Sequence, residues 1–134
     1  MADLERRPSP IAGSGWFARE DLPAGAVVAH VDTEARVDTL ATAFPNHACD
    51  PNVGWKDDRT LVTTSAVPAG TELVTDYAMA IGESGWFLRC HCPSYRCRQM
   101  VEGDDWRIPV LQRRYAGWWA PRVQRLLDAS LLDG

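Results

Sequence analysis

The sequence predicts a mainly β fold of the α+β class, with short strands through the middle of the chain and one helix at its C-terminal end. Two segments share a turn followed by an apolar run: residues 22–28 read LPAGAVV and residues 67–74 read VPAGTELV. In each segment, Pro at the second turn position and Gly at the fourth fit a type I turn, and β-prone residues follow. From residue 109 onward the apolar residues recur instead at helical spacing.

Local sequence signals predict where each element begins and ends. Residues 1–10 are polar and contain prolines, so we expect ordered structure to begin near Ile11. Strands are predicted after both turns and also at residues 60–65 and 86–89, where β-prone residues cluster. In residues 33–43 the apolar residues recur at neither strand nor helix spacing. The C-terminal helix is predicted from an apolar stripe that favours packing against the core: Trp119, Val123, Leu126, Leu127 and Leu131.

Length and composition indicate one globular domain. The chain has 134 residues, of which 46% are hydrophobic and 24% charged, so it is neither disordered nor fibrous and has little room for a second core. The net charge of -4 disfavours nucleic acid as the main partner, because domains that bind nucleic acid are usually basic. No run approaches the ~20 apolar residues that cross a bilayer, and the first ten residues lack the apolar stretch of a signal peptide. The sequence therefore predicts a cytoplasmic protein without a membrane partner.

The four cysteines are the strongest chemical signal in the chain. Cys90, Cys92 and Cys97 form a C-x-C-x4-C cluster. Cytosolic thiols stay reduced, a bridge between residues as close as Cys90 and Cys92 would be strained, and converging thiolates suit Zn²⁺. The fourth ligand is Cys49, the one remaining cysteine, or alternatively His91, whose side chain should point away from those of its neighbours in an extended segment. A four-thiolate site is closed and structural, so catalytic chemistry must lie elsewhere.

Three further motifs are ambiguous when each is taken alone. Residues 13–18 read GSGWFA, which fits either a close backbone approach to a ligand or an ordinary tight turn. Residues 46–52 read NHACDPN, where turn capping explains the Asn and Asp residues but not the remote cysteine. Residues 72–77 read ELVTDY and end a strand with an acid and a phenol, which by itself predicts a buried tyrosine.

Taken together and in this order, the motifs resemble those of the SET-domain protein lysine methyltransferases, whose patterns are G-x-G-x-F-A, N-H-S-C-x-P-N, E-L-x-x-D-Y and a post-SET C-x-C-x4-C. The resemblance covers residues 9–106, and the ending is similar to that of small bacterial members. It implies a β-clip-like fold of small curled sheets, with residues 46–52 threading through a pseudoknot beside Tyr77. It also implies that all four cysteines bind one structural zinc. The expected organisation is a SET domain at residues 1–89, with a shortened insert between residues 31 and 46, a post-SET zinc segment at residues 90–106, and a helical tail at residues 107–134.

The resemblance further implies a site for S-adenosylmethionine beside a catalytic tyrosine. Tyr77 corresponds to the catalytic tyrosine of the family and also contacts the cofactor. An aromatic residue usually covers the adenine, and Trp106 is the first candidate, ahead of Phe87 and Tyr95. The other implied cofactor contacts are Gly13, Ser14, Gly15, Trp16, Asn46 and His47.

The implied function is methyl transfer from S-adenosylmethionine to the ε-amine of a lysine presented by a protein substrate. The shortened insert favours an alternative, a zinc-stabilised SET-like module that binds a protein and has lost catalysis. A zinc-ribbon nucleic-acid binder is a third hypothesis, which the acidic net charge opposes. The C-terminal helix and the six tryptophans also suggest a homodimer.

Overall fold

The computed structural model of the chain describes residues 2–31 and 45–133. The shortened insert expected between residues 31 and 46 and the unperiodic segment at residues 33–43 therefore lie almost wholly outside the described residues. The described strands are β1 (Leu4–Pro8), β2 (Ser14–Ala18), β3 (Val27–His30), β4 (Asn46–His47), β5 (Val53–Trp55), β6 (Thr60–Thr63), β7 (Glu72–Thr75), β8 (Phe87–Arg89) and β9 (Met100–Glu102). The described helices are a first 3₁₀ helix (Tyr77–Met79), a second 3₁₀ helix (Asp105–Arg107), α1 (Pro109–Arg114) and α2 (Pro121–Asp133).

The larger sheet is arranged around β7, which carries the ELVTDY motif. Its strand order is β1-β2-β7-β5-β6-β3, and β4 also pairs with β7. Strand β2 runs antiparallel to β7, while β4 runs parallel to it, with Asn46 opposite Val74 and His47 opposite Thr75. The smaller sheet is the antiparallel hairpin β8-β9. Three motifs that are far apart in sequence thus meet on one strand, and the predicted mainly β architecture with a C-terminal helix is confirmed.

The two similar turn segments pair with each other. Leu22 and Val67 form an isolated antiparallel bridge, with N–H to carbonyl distances of 2.8 and 2.9 Å. The final glycines of the two turns, Gly25 and Gly70, have φ values of +83° and +85°, a conformation that other residues rarely adopt. The shared sequence therefore reflects shared turn geometry, and the strands predicted after the turns are present as β3 and β7.

Ordered structure begins before Ile11, so that prediction is wrong. All five residues of β1 pair with β2, from Leu4 opposite Ala18 to Pro8 opposite Ser14. Backbone pairing accounts for this strand rather than apolar content, since a charged edge strand that ends in Pro can still form a ladder on one side.

The main core lies between the larger sheet and the C-terminal helices. Trp55 and Leu61 from the sheet pack with Trp119, Val123 and Leu127, and each buried aliphatic side chain contributes roughly 1.5–3 kcal/mol. The predicted helix and most of its apolar stripe are confirmed. Two members of the stripe are not buried: Leu126 lies partly in solvent and Leu131 is 79% exposed. Within residues 2–31 and 45–133, no helix is both long and apolar enough to cross a membrane.

Candidate active site and metal centre

The four cysteines come together in a geometry that fits a tetrahedral metal ion. The Sγ atoms of Cys49, Cys90, Cys92 and Cys97 all lie within 4.8 Å of one another, and those of Cys49 and Cys90 are 3.9 Å apart. Thiolates at ~2.3 Å from a tetrahedral zinc are about 3.8 Å from each other. His91 is exposed and lies outside this group. Of the two candidates for the fourth position, the structure therefore favours Cys49.

Backbone N–H groups donate hydrogen bonds to three of the four sulfur atoms. The Arg98 N–H donates to Cys49 Sγ at 3.3 Å, and the Cys92 N–H donates to Cys90 Sγ at 3.4 Å. The Cys49 N–H donates to Cys92 Sγ at 3.5 Å. Such bonds stabilise the negative charge of metal-bound thiolates. Burial raises the pKa of the Cys49 thiol to about 11, so a nearby cation is needed to favour the Cys49 thiolate near pH 7.

A side chain from the 46–52 motif ties the glycine loop to β7. The Asn46 side-chain amide donates to the carbonyls of Ala12 and Ser14 at 3.2 and 3.1 Å and to the Glu72 carboxylate at 2.9 Å. A Cβ at Gly15 would overlap that carboxylate, so the close approach of the two segments requires glycine at this position. Asn46 and Glu72 thus fix the shape of the loop.

His47 connects the cysteine cluster to the motif tyrosine. Its Nδ1 accepts the backbone N–H of Tyr77 at 3.0 Å, and its Nε2 lies 3.5 Å from Cys49 Sγ. An accepting Nδ1 assigns the proton of the neutral ring to Nε2. Desolvation by burial lowers the pKa of His47 to about 4, which keeps the ring neutral near pH 7.

Tyr77 begins the first 3₁₀ helix, which Asp76 separates from the end of β7. Its hydroxyl donates to the carbonyl of Pro45 at 2.9 Å, and its ring meets the edge of the His47 ring at a centroid distance of 5.3 Å. Burial raises the pKa of Tyr77 to about 12, so the phenol stays protonated at neutral and mildly alkaline pH. Asp76 caps this helix by accepting the Ala78 N–H at 2.9 Å.

A pocket of about 390 Å³ opens beside Tyr77. Asn46, His47 and Tyr77 line it from the sheet side. Trp86, Phe87 and His91 line it from β8 and the residues next to that strand. The volume lies within the range of ~300–1,000 Å³ that is usual for small-molecule sites.

The structure brings together only part of the predicted cofactor set. Gly13, Ser14 and Gly15 do not line the 390 Å³ pocket, although Ile11 and Ala12 just before them do. Trp16 lines a second pocket of about 350 Å³ together with Pro45. The roles predicted for these residues toward a cofactor stay predictions.

Trp106, the first residue predicted to cover the adenine, does not line the 390 Å³ pocket. Trp106 is 6% exposed and packs in the main core, because the second 3₁₀ helix is held against the C-terminal helices. Phe87 lines the pocket and is 64% exposed, whereas Tyr95 is 88% exposed and lies outside the lining. Of the three aromatic candidates, Phe87 is therefore the one that lines this pocket.

Two residues near the site were not found from the sequence. Arg98 and Tyr115 both bond the carboxylate of Asp76, which precedes Tyr77. The position of Arg98 next to a cysteine of the cluster is a local signal that could have singled it out. No pattern in the sequence links Tyr115, which lies 39 residues after Asp76, to the motif.

Comparisons with known proteins bear on the fold. No protein-family model matches the chain. Histone-lysine N-methyltransferase 2D of Homo sapiens is 28% identical over 93 residues, which are 61% of this chain and 2% of that protein, and the protein of the same name from Mus musculus matches equally. Among solved structures, the fold is similar to a SET-domain methyltransferase, KRYPTONITE, in complex with mCHH DNA, an H3(1-15) peptide and SAH. That match has a TM-score of 0.53 and 21% identity and covers 75% of this chain and 29% of the other. The chain thus has the SET-domain fold and spans a small part of each of these proteins.

Proposed function

We propose that this chain is a methyltransferase that uses S-adenosylmethionine to methylate the ε-amine of a lysine in a protein substrate. The observation that carries the proposal is the convergence of Asn46, His47 and Tyr77 on one 390 Å³ pocket. The similarity to histone-lysine methyltransferases and to the KRYPTONITE complex supports the same class of reaction.

The pocket beside Tyr77 suits S-adenosylmethionine in size and in lining. Trp86 and Phe87 offer aromatic surface for the adenine, and Asn46 and His47 are polar residues of the same lining. When bound, the cofactor supplies a methyl group already activated on a sulfonium. Because the methyl needs no further activation, the chain has only to place an uncharged amine in line with it and to exclude water.

Tyr77 is the residue proposed to orient that amine. A phenol hydroxyl can donate and accept hydrogen bonds, so Tyr77 can donate to Pro45 and accept from an amine N–H. A free lysine has a pKa near ~10.4, and a desolvated site favours its neutral form. The hydroxyl and the Pro45 carbonyl together also stabilise the positive charge that develops on the nitrogen during transfer.

The second pocket is proposed as the side from which the substrate lysine approaches. Pro45 lines that pocket, and its carbonyl accepts the hydroxyl of Tyr77, a residue that lines the 390 Å³ pocket. A lysine side chain entering past Trp16 and Pro45 would therefore approach the carbonyl that accepts the Tyr77 hydroxyl.

The zinc proposed for the four cysteines has a structural role. With four thiolates as ligands it has no open position for substrate, so it would hold the post-SET segment beside Tyr77. The cytoplasmic location and the homodimer stay predictions.

The proposal is tested by calorimetric titration of the zinc-loaded chain with S-adenosylmethionine and its demethylated product, followed by transfer of labelled methyl groups to proteins of a lysate. We expect a micromolar Kd for both ligands and label on lysine. Lys56 is the single lysine of the chain, so a Lys56→Arg control separates labelling of the chain itself from labelling of a substrate. A folded, zinc-loaded chain that binds neither ligand would instead be the protein-binding module.

Phe87→Ala is expected to weaken the binding of S-adenosylmethionine about tenfold, because the variant loses the aromatic surface over the pocket. The melting temperature should hardly change, since Phe87 is largely exposed. Calorimetry and thermal unfolding measure the two effects. Tyr95→Ala is the matched control, because it removes an exposed aromatic outside the pocket. Equal Kd values for the two variants would place the adenine elsewhere.

A further inference from the structure

A fully buried carboxylate, that of Asp76, lies at the centre of a hydrogen-bonded cluster next to Tyr77. Arg98 donates to it from both terminal guanidinium nitrogens, from Nη1 to Oδ2 at 2.7 Å and from Nη2 to Oδ1 at 3.1 Å. The Tyr115 hydroxyl donates to Oδ2 at 2.7 Å, and the Ala78 N–H donates to Oδ1 at 2.9 Å. A buried charge requires partners of this kind, and here each carboxylate oxygen accepts two hydrogen bonds.

The donors come from two segments distant from the motif. Arg98 follows the cluster residue Cys97, its own N–H bonds Cys49 Sγ at 3.3 Å, and its Nε bonds the Asp105 carboxylate at 3.0 Å. Tyr115 ends α1 and is buried. The post-SET segment and the C-terminal helices therefore meet on the one carboxylate that precedes the motif tyrosine.

We infer that Arg98 and Tyr115 are positioning residues that act on Tyr77 through Asp76. This inference rests on the proposed function, since it assigns a role in placing the proposed catalytic hydroxyl. The first 3₁₀ helix has only three residues and no stability of its own. Its start is fixed by the Asp76 cap and by the His47 bond to the Tyr77 N–H. When a donor to Asp76 is lost, the carboxylate and the cap can rotate and carry the Tyr77 hydroxyl with them.

The test uses the three tyrosines of the chain, which give three signals when the phenol carbon Cζ is labelled with ¹³C. The variants Tyr77→Phe, Tyr95→Phe and Tyr115→Phe each remove one signal and so assign all three. In the zinc-loaded chain without substrate, Tyr115→Phe is expected to shift or broaden the Tyr77 signal, whereas Tyr95→Phe leaves it unchanged. A folded Tyr115→Phe variant with an unmoved Tyr77 signal overturns the inference.

The kinetic arm separates positioning from stability. Tyr115→Phe should lower kcat about tenfold, because small misplacement of a reacting group is costly, while the KM for S-adenosylmethionine and the zinc content stay the same. Arg98→Lys keeps the charge but loses the two-pronged contact, and it should move the Tyr77 signal and kcat in the same direction. If Tyr115→Phe does not fold, Arg98→Lys tests the positioning role in its place. A loss of melting temperature with kcat unchanged would mark both residues as structural and overturn the inference.

The outcome for the inference is distinguishable from that for the proposed function. If the wild-type chain transfers no methyl group to any lysine, the proposed function fails. The NMR arm still reports whether Arg98 and Tyr115 set the position of the Tyr77 phenol, because it needs neither cofactor nor substrate.

Discussion

Cys49→Ser is expected to release the metal and to unfold the post-SET segment. The Cys49 sulfur joins the 46–52 segment to the cysteines that follow β8, and its distance of 3.9 Å to Cys90 Sγ fits a shared zinc. Structural zinc contributes about 10–16 kcal/mol in small domains, comparable to the whole stability of roughly 5–15 kcal/mol of an ordinary domain. The zinc content measured by metal analysis should fall from one ion per chain to a small fraction of that. The melting temperature should fall as well. A strong chelator should have the same effect on the unaltered chain.

His91→Ala is the matched control for this variant. His91 lies between two cysteines of the cluster but is exposed and outside the sulfur group, so the altered chain should keep one zinc and its melting temperature. Loss of zinc from His91→Ala with retention by Cys49→Ser would give the fourth ligand position to the histidine.

The parts of the fold that could be predicted depend on local chemistry. The two Pro-Ala-Gly turns fix their own geometry, and the glycines with positive φ fall where the turns need them. The C-terminal helix follows from the spacing of Trp119, Val123 and Leu127, which are all buried. The cysteine cluster was predictable because thiolates near one another in sequence, with one cysteine left over, suit a single soft cation.

The parts that could not be predicted depend on contacts between distant segments. Nothing in the sequence near Trp106 shows that α1 and α2 cover it, so an aromatic expected at the cofactor pocket is buried in the core. The same helices bring Tyr115 to Asp76, a pairing across 39 residues that no local spacing encodes. Strand β1 has no apolar alternation because three of its five residues are charged, and it forms by pairing with the backbone of β2.

Tyr77→Phe is expected to lower kcat by about 10²–10³ and to leave the Kd of S-adenosylmethionine within about twofold. The change removes one oxygen and keeps the ring that meets His47, so the pocket retains its shape. Loss of the hydrogen bond to the Pro45 carbonyl should itself lower stability by ~1 kcal/mol. The large kinetic loss follows if the phenol orients the amine and stabilises charge that develops only during transfer. Single-turnover methyl transfer and calorimetry measure the two quantities.

Tyr95→Phe removes the same oxygen from an exposed side chain outside the pocket, so its kcat and Kd should match those of the unaltered chain.

The pH dependence gives an independent check on the role of the phenol. Burial raises the pKa of Tyr77 to about 12, so the phenol stays protonated over the pH range in which activity is measured. Ionisation of Tyr77 should therefore contribute no rise in rate within that range. A pH–rate profile that changes form between the unaltered chain and Tyr77→Phe below pH ~10 would show that Tyr77 acts as a base instead. Equal losses in kcat and in cofactor affinity would assign Tyr77 to binding the cofactor rather than to orienting the amine.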